Sequence, residues 1–171
     1  MYRSKFFYLM DVFSEKGRKI GTVKDILIDL NNYELKGFSV ISKGFCCNNH
    51  SLLLKDIVYI NDNMIVDINK FKKEGRAFLK FSKIKNMDIF DMKSKYIGYL
   101  DDIIIDEKKF NIKGIIVSTG IFNDFIQGKR IIPSEDIIFG EENILYFNNK
   151  CNNIDFKITL KNNKEKIKGN D

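Results

Sequence analysis

Three observations predict an all-β fold of two small tandem barrels in this chain of 171 residues. The sequence repeats itself: MDVFSEKGRKIGTVKDILIDLNNYELKGFSV, from Met10, lies over MDIFDMKSKYIGYLDDIIIDEKKFNIKGIIV, from Met87, at an offset of 77 residues. Each copy is rich in isoleucine, valine and phenylalanine, set in short runs between polar turns, as a pleated, half-buried surface requires. Neither copy contains an amphipathic stretch of about 12 residues, so helices have little to form from.

In the first copy, IGTVKDILID from Ile20 and LKGFSVIS from Leu35 read as strands around Leu30–Asn31–Asn32–Tyr33. Asparagine tolerates the unusual dihedrals that such a turn needs. Next come LLLKDIVYI from Leu52 and NMIVD from Asn63. In the second copy the matching strands, IGYLDDIIID and IKGIIVS, flank Glu107–Lys108–Lys109. Three extra residues follow, and the register resumes with EDIIFGEENILY from Glu135 over KDIVYINDNMIV from Lys55. In KRIIPSEDIIF, Pro133 cannot donate to a ladder and marks a strand end or a short turn. Gly21 and Gly98 sit inside strand patterns, where glycine marks a bulge or a close backbone approach. Repeat one spans residues 5–68, repeat two 78–148, and 149–171 form a polar C-terminal tail.

The charge is uneven. Of the net +6, residues 69–86 supply 7 basic groups against 1 acidic, whereas residues 87–150 carry 8 against 11. A short basic linker, Lys70 to Lys85, therefore joins two near-neutral or acidic bodies. Within it Phe78-Leu79-Lys80-Phe81 alternates, which fits the first strand of the second barrel. Lys70, Lys72, Lys73, Arg76, Lys80, Lys83 and Lys85 are interleaved with Phe71, Phe78 and Phe81, a pattern that could pair with phosphates and stack on bases. The plainer reading is a solvated connector whose lysines also blunt exposed strand edges. No run approaches the roughly 18–20 apolar residues of a spanning helix, and the first residues lack signal-peptide organisation, so a soluble cytoplasmic chain is expected.

At these residues the chain resembles the PRC-barrel domains, named for the cytoplasmic domain of the photosynthetic reaction-centre H subunit. The pattern is legible as IGYLDDIIID, IKGIIVSTGIF, IIPSEDIIF and NILYF, and in the first copy as IGTVKDILID, LKGFSVIS, LLLKDIVYI and NMIVD. The first copy departs from it where Leu53 stands in place of Pro133. The resemblance implies small six-stranded barrels that act as docking or scaffolding modules. In the ribosome maturation factor such a domain binds a small-subunit ribosomal protein, and stand-alone versions in spore-forming bacteria are linked to sporulation. The expected function is a non-catalytic interaction module with a protein partner; the alternative is an RNA- or ribosome-associated assembly factor using the basic linker.

Catalytic, cofactor and metal sites are each expected to be absent. Asp25/Asp29 and Asp102/Asp106 lie four apart, which on a strand places them on one face about 13 Å apart. Glycosidase carboxylates sit about 5 Å or about 6.5–9.5 Å apart. Asp29 and Asp106 more simply end strands and seed turns, and adjacent Asp101 and Asp102 point to opposite faces. Cys46, Cys47, His50 and Cys151 could be imagined on zinc, but an adjacent cysteine pair converges poorly on a tetrahedral ion, and ordinary thiols are the better account.

Overall fold

The computed structural model describes residues 1–42, 49–67, 69, 72–73 and 78–147. In chain order the elements are β1 (Tyr2–Arg3), β2 (Asp11–Ser14), β3 (Lys19–Asp29), β4 (Glu34–Ser42), β5 (Asn49–Leu53), β6 (Ile57–Ile60), β7 (Met64–Val66), β8 (Lys72–Lys73) and β9 (Leu79–Lys80). A helical turn α1 (Phe81–Ile84) follows, then β10 (Asp88–Asp91), β11 (Tyr96–Ile105), β12 (Ile112–Ser118), helix α2 (Ile121–Gln127), β13 (Arg130–Pro133), β14 (Ile137–Phe139) and β15 (Asn143–Tyr146). The fold is mostly β, in two curled sheets. One runs β6-β7-β2-β3-β4-β5-β8 with β9 also on β3, and the other β13-β12-β11-β10-β15-β14 with β1 also on β11.

The repeat is legible at backbone resolution. Bulges fall between Val23 and Asp25 in one unit and between Leu100 and Asp102 in the other, at the same repeat position. Left-handed residues also recur at the offset of the sequence repeat, Leu9 with Asn86 and Tyr33 with Phe110. A Cβ on Gly21 or Gly98 would run into the carbonyl oxygen of Ile41 or Ser118, so both glycines serve close approach, as their place in the strands predicts. Leu53 and Pro133 occupy one register position, opposite Gly37 and Gly114, and each is followed by a short 3-10 turn.

The turns obey their aspartates. Asp29 Oδ1 accepts from the N–H groups of Asn31 and Asn32, and Asp106 Oδ1 from those of Lys108 and Lys109. The left-handed residue is Tyr33 or Phe110, not an asparagine as the composition of the first turn suggests. With the carboxylate holding the two preceding amides, the reversal falls on the residue after them.

Two compact units emerge, and their membership crosses the sequence repeats. One contains Ser4–Lys83; the other contains Met1–Arg3 together with residues from Ile84 onward. Tyr2 and Arg3 pair with Ile105 and Ile104 of β11. Leu79 and Lys80, 77 positions on, pair with Ile28 and Leu27 of β3. Thus β1, just ahead of the first repeat, completes the body built mainly from the second, and β9, at the start of the second repeat, completes the body built mainly from the first. This corrects the expectation that Phe78–Phe81 opens the second barrel: Phe81 is 1% exposed within the Ser4–Lys83 unit, and the Ser82 N–H reaches Asp25 of that unit at 3.3 Å. Alternation specifies a strand but not the edge it joins. The basic stretch also contributes β8, which pairs with β5 at His50 and Ser51.

The exchange makes a crossed prediction, read by hydrogen exchange. Phe81→Ala should cost about 3–5 kcal/mol and deprotect β3 and β4, although Phe81 belongs to the second repeat. Arg3→Ala should deprotect β11 and β12, although Arg3 lies just ahead of the first. Deprotection of the opposite unit in either variant would contradict the exchange. A second expectation concerns acid. The Asn32 side-chain amide, then backbone N–H groups and Lys36, hold the Asp29 carboxyl below the usual range; the Lys109 and Lys108 N–H groups do so for Asp106. A depressed native pKa stabilises above the unfolded value, near about 4, and that stability is lost as pH falls through the native value. The double variant Asp29→Asn/Asp106→Asn should therefore show a flatter melting temperature between about pH 4 and pH 2; an unchanged slope would remove these turns from acid unfolding.

Candidate interaction surface

The bulges decide where the buried carboxylates go. Asp25 and Asp102 are 4% and 3% exposed, each beside the extra residue of its bulge. Asp25 accepts from Tyr8 Oη at 3.1 Å and from the Ile26 N–H at 2.9 Å. Asp102 accepts from the Ile103 N–H at 2.8 Å and from Arg3 Nε at 2.9 Å. Asp101 does not point away from Asp102 to the opposite face, as strict alternation predicts. The bulge lets one guanidinium reach both, Arg3 Nη2 lying 3.5 Å from Asp101 Oδ2. Asp29 and Asp106 hold turns, so neither pair forms a two-carboxylate centre.

From Asp101 the charge network continues outward. Lys129 Nζ lies 2.8 Å from Asp101 Oδ2 and 3.7 Å from Asp124 Oδ2. Asp124, in α2, is 6% exposed; it accepts from Ser118 Oγ at 2.5 Å and from the Thr119 N–H at 3.0 Å. Three carboxylates and two cations thus alternate from β1 through β11 to α2. A buried carboxylate must be paired to be tolerated, so this chain of contacts fixes which face of α2 turns inward.

The other face of α2 is apolar and bare. Ile121, Phe122, Phe125 and Ile126 are 84%, 86%, 84% and 78% exposed. No other seven-residue stretch among the described residues carries more than two large exposed apolar side chains. Four such groups on two helical turns are costly in water and mark a contact surface. Sequence reasoning missed this helix. At seven residues it is too short for a periodicity signal, and Gly120 and Gly128 at its ends read as loop. Its one available signal was chemical: GIFNDFIQGK replaces the polar loop of the first copy.

The other sequence candidates are dispersed. His50 lies in β5 opposite Val40 and Lys73, while Cys46, Cys47 and Cys151 fall outside the described residues. Of the basic stretch, Lys80 lies in β9 and Lys83 in α1, Lys72 and Lys73 form β8, and Lys70, Phe71 and Arg76 fall outside the described residues. No group of three or more potential metal ligands occurs among the described residues. No helix among them is long and apolar enough to cross a membrane.

The family model of the PRC-barrel domain matches twice, over residues 4–73 and 77–165. The chain belongs to the PRC-barrel family. A comparison with curated proteins finds no match. PRC-barrel domains are generally non-catalytic modules, in keeping with a surface whose distinguishing feature is an apolar ridge. The second PRC barrel alone bears that ridge, among the described residues, and Asp124 is its anchor. Asp124→Ala should leave the sheets folded while speeding amide exchange across residues 120–128 by at least about tenfold, because the Ser118 hydroxyl and the Thr119 N–H lose their acceptor. Unchanged exchange there would mean that the carboxylate does not hold the helix.

Proposed function

We propose that this tandem PRC-barrel protein is a non-catalytic, cytoplasmic interaction module that binds a protein partner through the exposed face of α2. The observation that carries the reading is the quartet Ile121, Phe122, Phe125 and Ile126 on a helix whose acidic residue, Asp124, is turned inward. Nothing in the core of its own unit requires these side chains, because Asp124 already secures the helix. Apolar groups kept in water at about four-fifths exposure are accounted for by what covers them. A link to sporulation rests on family resemblance alone.

The variant Phe122→Ser/Phe125→Ser tests this. Removing exposed side chains should move stability by no more than about 0.5 kcal/mol, while association through the face should weaken at least about tenfold. Equal association of wild type and variant would dismiss α2 as the docking face. A second reading, RNA or ribosome association, is favoured by the 7 basic groups against 1 acidic in residues 69–86. It predicts salt-sensitive co-sedimentation with ribosomal subunits that is lost when Lys70, Lys72, Lys73 and Arg76 become glutamine, with the melt unchanged. Co-sedimentation that survives those changes, or none at low salt, would dispose of it.

A further inference from the structure

Resting on the α2 reading, we infer that the partner on this face is a second copy of the chain, packed α2 against α2 about a two-fold axis. Three features of the ridge carry this. The first is shape. At about 100° per residue, Ile121 and Phe125 form one row along the helix and Phe122 and Ile126 a neighbouring row, with a groove between them. Rows of i and i+4 side chains interdigitate with an identical set, the commonest way two helices meet. Gly120 and Gly128 flank the rows and add no side chain to hold the copies apart.

The second feature is charge. Near a two-fold axis each residue faces its own image, so any charge there meets a like charge. The chain as a whole is 30% charged residues, yet the exposed side chains of α2 are Ile121, Phe122, Asn123, Phe125, Ile126 and Gln127. Its one ionisable group, Asp124, is turned inward onto Ser118 and Thr119. A face meant for a polyanion or an acidic protein would carry cations. This one carries none, and residues 87–150 around it hold 8 basic against 11 acidic groups.

The third feature is area. Two phenylalanines and two isoleucines at this exposure offer about 600 Å² per chain, against about 800 Å² per partner in a stable standard interface. Two copies sharing the ridge reach only the lower edge of that class. The contact is therefore a small, reversible one whose population depends on concentration. Because each copy carries +6, added salt screens their mutual repulsion and strengthens the pair. Binding to an anionic surface would change with salt in the opposite sense.

The test is sedimentation velocity of the full chain under reducing conditions, from about 1 to about 500 µM, at low and high salt. Wild type should pass from monomer to dimer with rising concentration, more readily at high salt. Phe125→Ser should weaken the dimer at least about tenfold and Phe122→Ser/Phe125→Ser should abolish it. Val58→Ser, which alters an exposed apolar side chain elsewhere, should behave as wild type. A wild type that stays monomeric throughout, or a dimer that survives the double change, overturns the inference. Flotation with phosphatidylcholine vesicles, with and without phosphatidylglycerol, separates the two levels of the argument. A monomer that floats through Phe122 and Phe125 keeps α2 as a docking face but replaces the second copy with a lipid surface. A dimer insensitive to both phenylalanines removes α2 from either role.

Discussion

A carboxylate buried at a bulge organises each half of this protein. The bulge on β3 or β11 swings Asp25 or Asp102 inward, where an unpaired charge would cost several kcal/mol. Backbone amides next to the bulge satisfy part of it. The remainder comes from outside the hairpin, and in both units part of it comes from a segment outside the main repeat: Arg3 on Asp102, and the Ser82 N–H, beside Tyr8 Oη, on Asp25. The short strands β1 and β9 have only two residues each, so ladder hydrogen bonds alone hold them weakly. Their anchorage rests on these polar contacts and on Phe81, which enters the core beside β9.

That requirement explains why each compact unit takes in a short segment from outside its main repeat although each repeat has its own sheet. A domain of about 65 residues is marginal by surface-to-volume scaling. Here each unit borrows its completing strand, and the borrowed segment also ends a buried charge. A fragment cut at the repeat boundary would lose both together. The second unit, stripped of Met1–Arg3, would leave Asp102 with its Ile103 amide but without the guanidinium. The boundaries drawn from self-similarity and those drawn from packing therefore differ for a physical reason, not through imprecise reading of the sequence.

Most of the fold was legible because its signals are local. The β-branched runs, the aspartate-seeded turns and Pro133 at a strand end each act within a few residues of themselves, and the offset of 77 residues shows the same local signals twice. What escaped was non-local or short. Nothing in Leu79 and Lys80 announces that they pair with Leu27 and Ile28 rather than with their own repeat. Strict alternation set Asp101 and Asp102 on opposite faces, and only the bulge, invisible in sequence, lets Arg3 gather both. The apolar letters of IFNDFIQ were in plain view, but the helix has only seven residues, and in a chain this rich in isoleucine and phenylalanine they did not stand out. Burial, not composition, gives them meaning.

The two halves have kept one backbone and parted in chemistry. Lys24 occupies the position of Asp101, and Asn49 that of Lys129, so the first unit lacks the carboxylate and the ammonium that continue the network outward in the second. An apolar helix of seven residues has almost no intrinsic stability in water. It persists only where something fixes its polar face, and the Arg3–Asp101–Lys129–Asp124 contacts do so in the second unit. The ridge and its support are therefore one invention: without the network four apolar side chains would tend to collapse onto the body, and without the ridge the outer half of the network would hold nothing. Arg3 stands at the head of that line of contacts. The exchanged strand that closes the second barrel is thus also the first link in presenting α2.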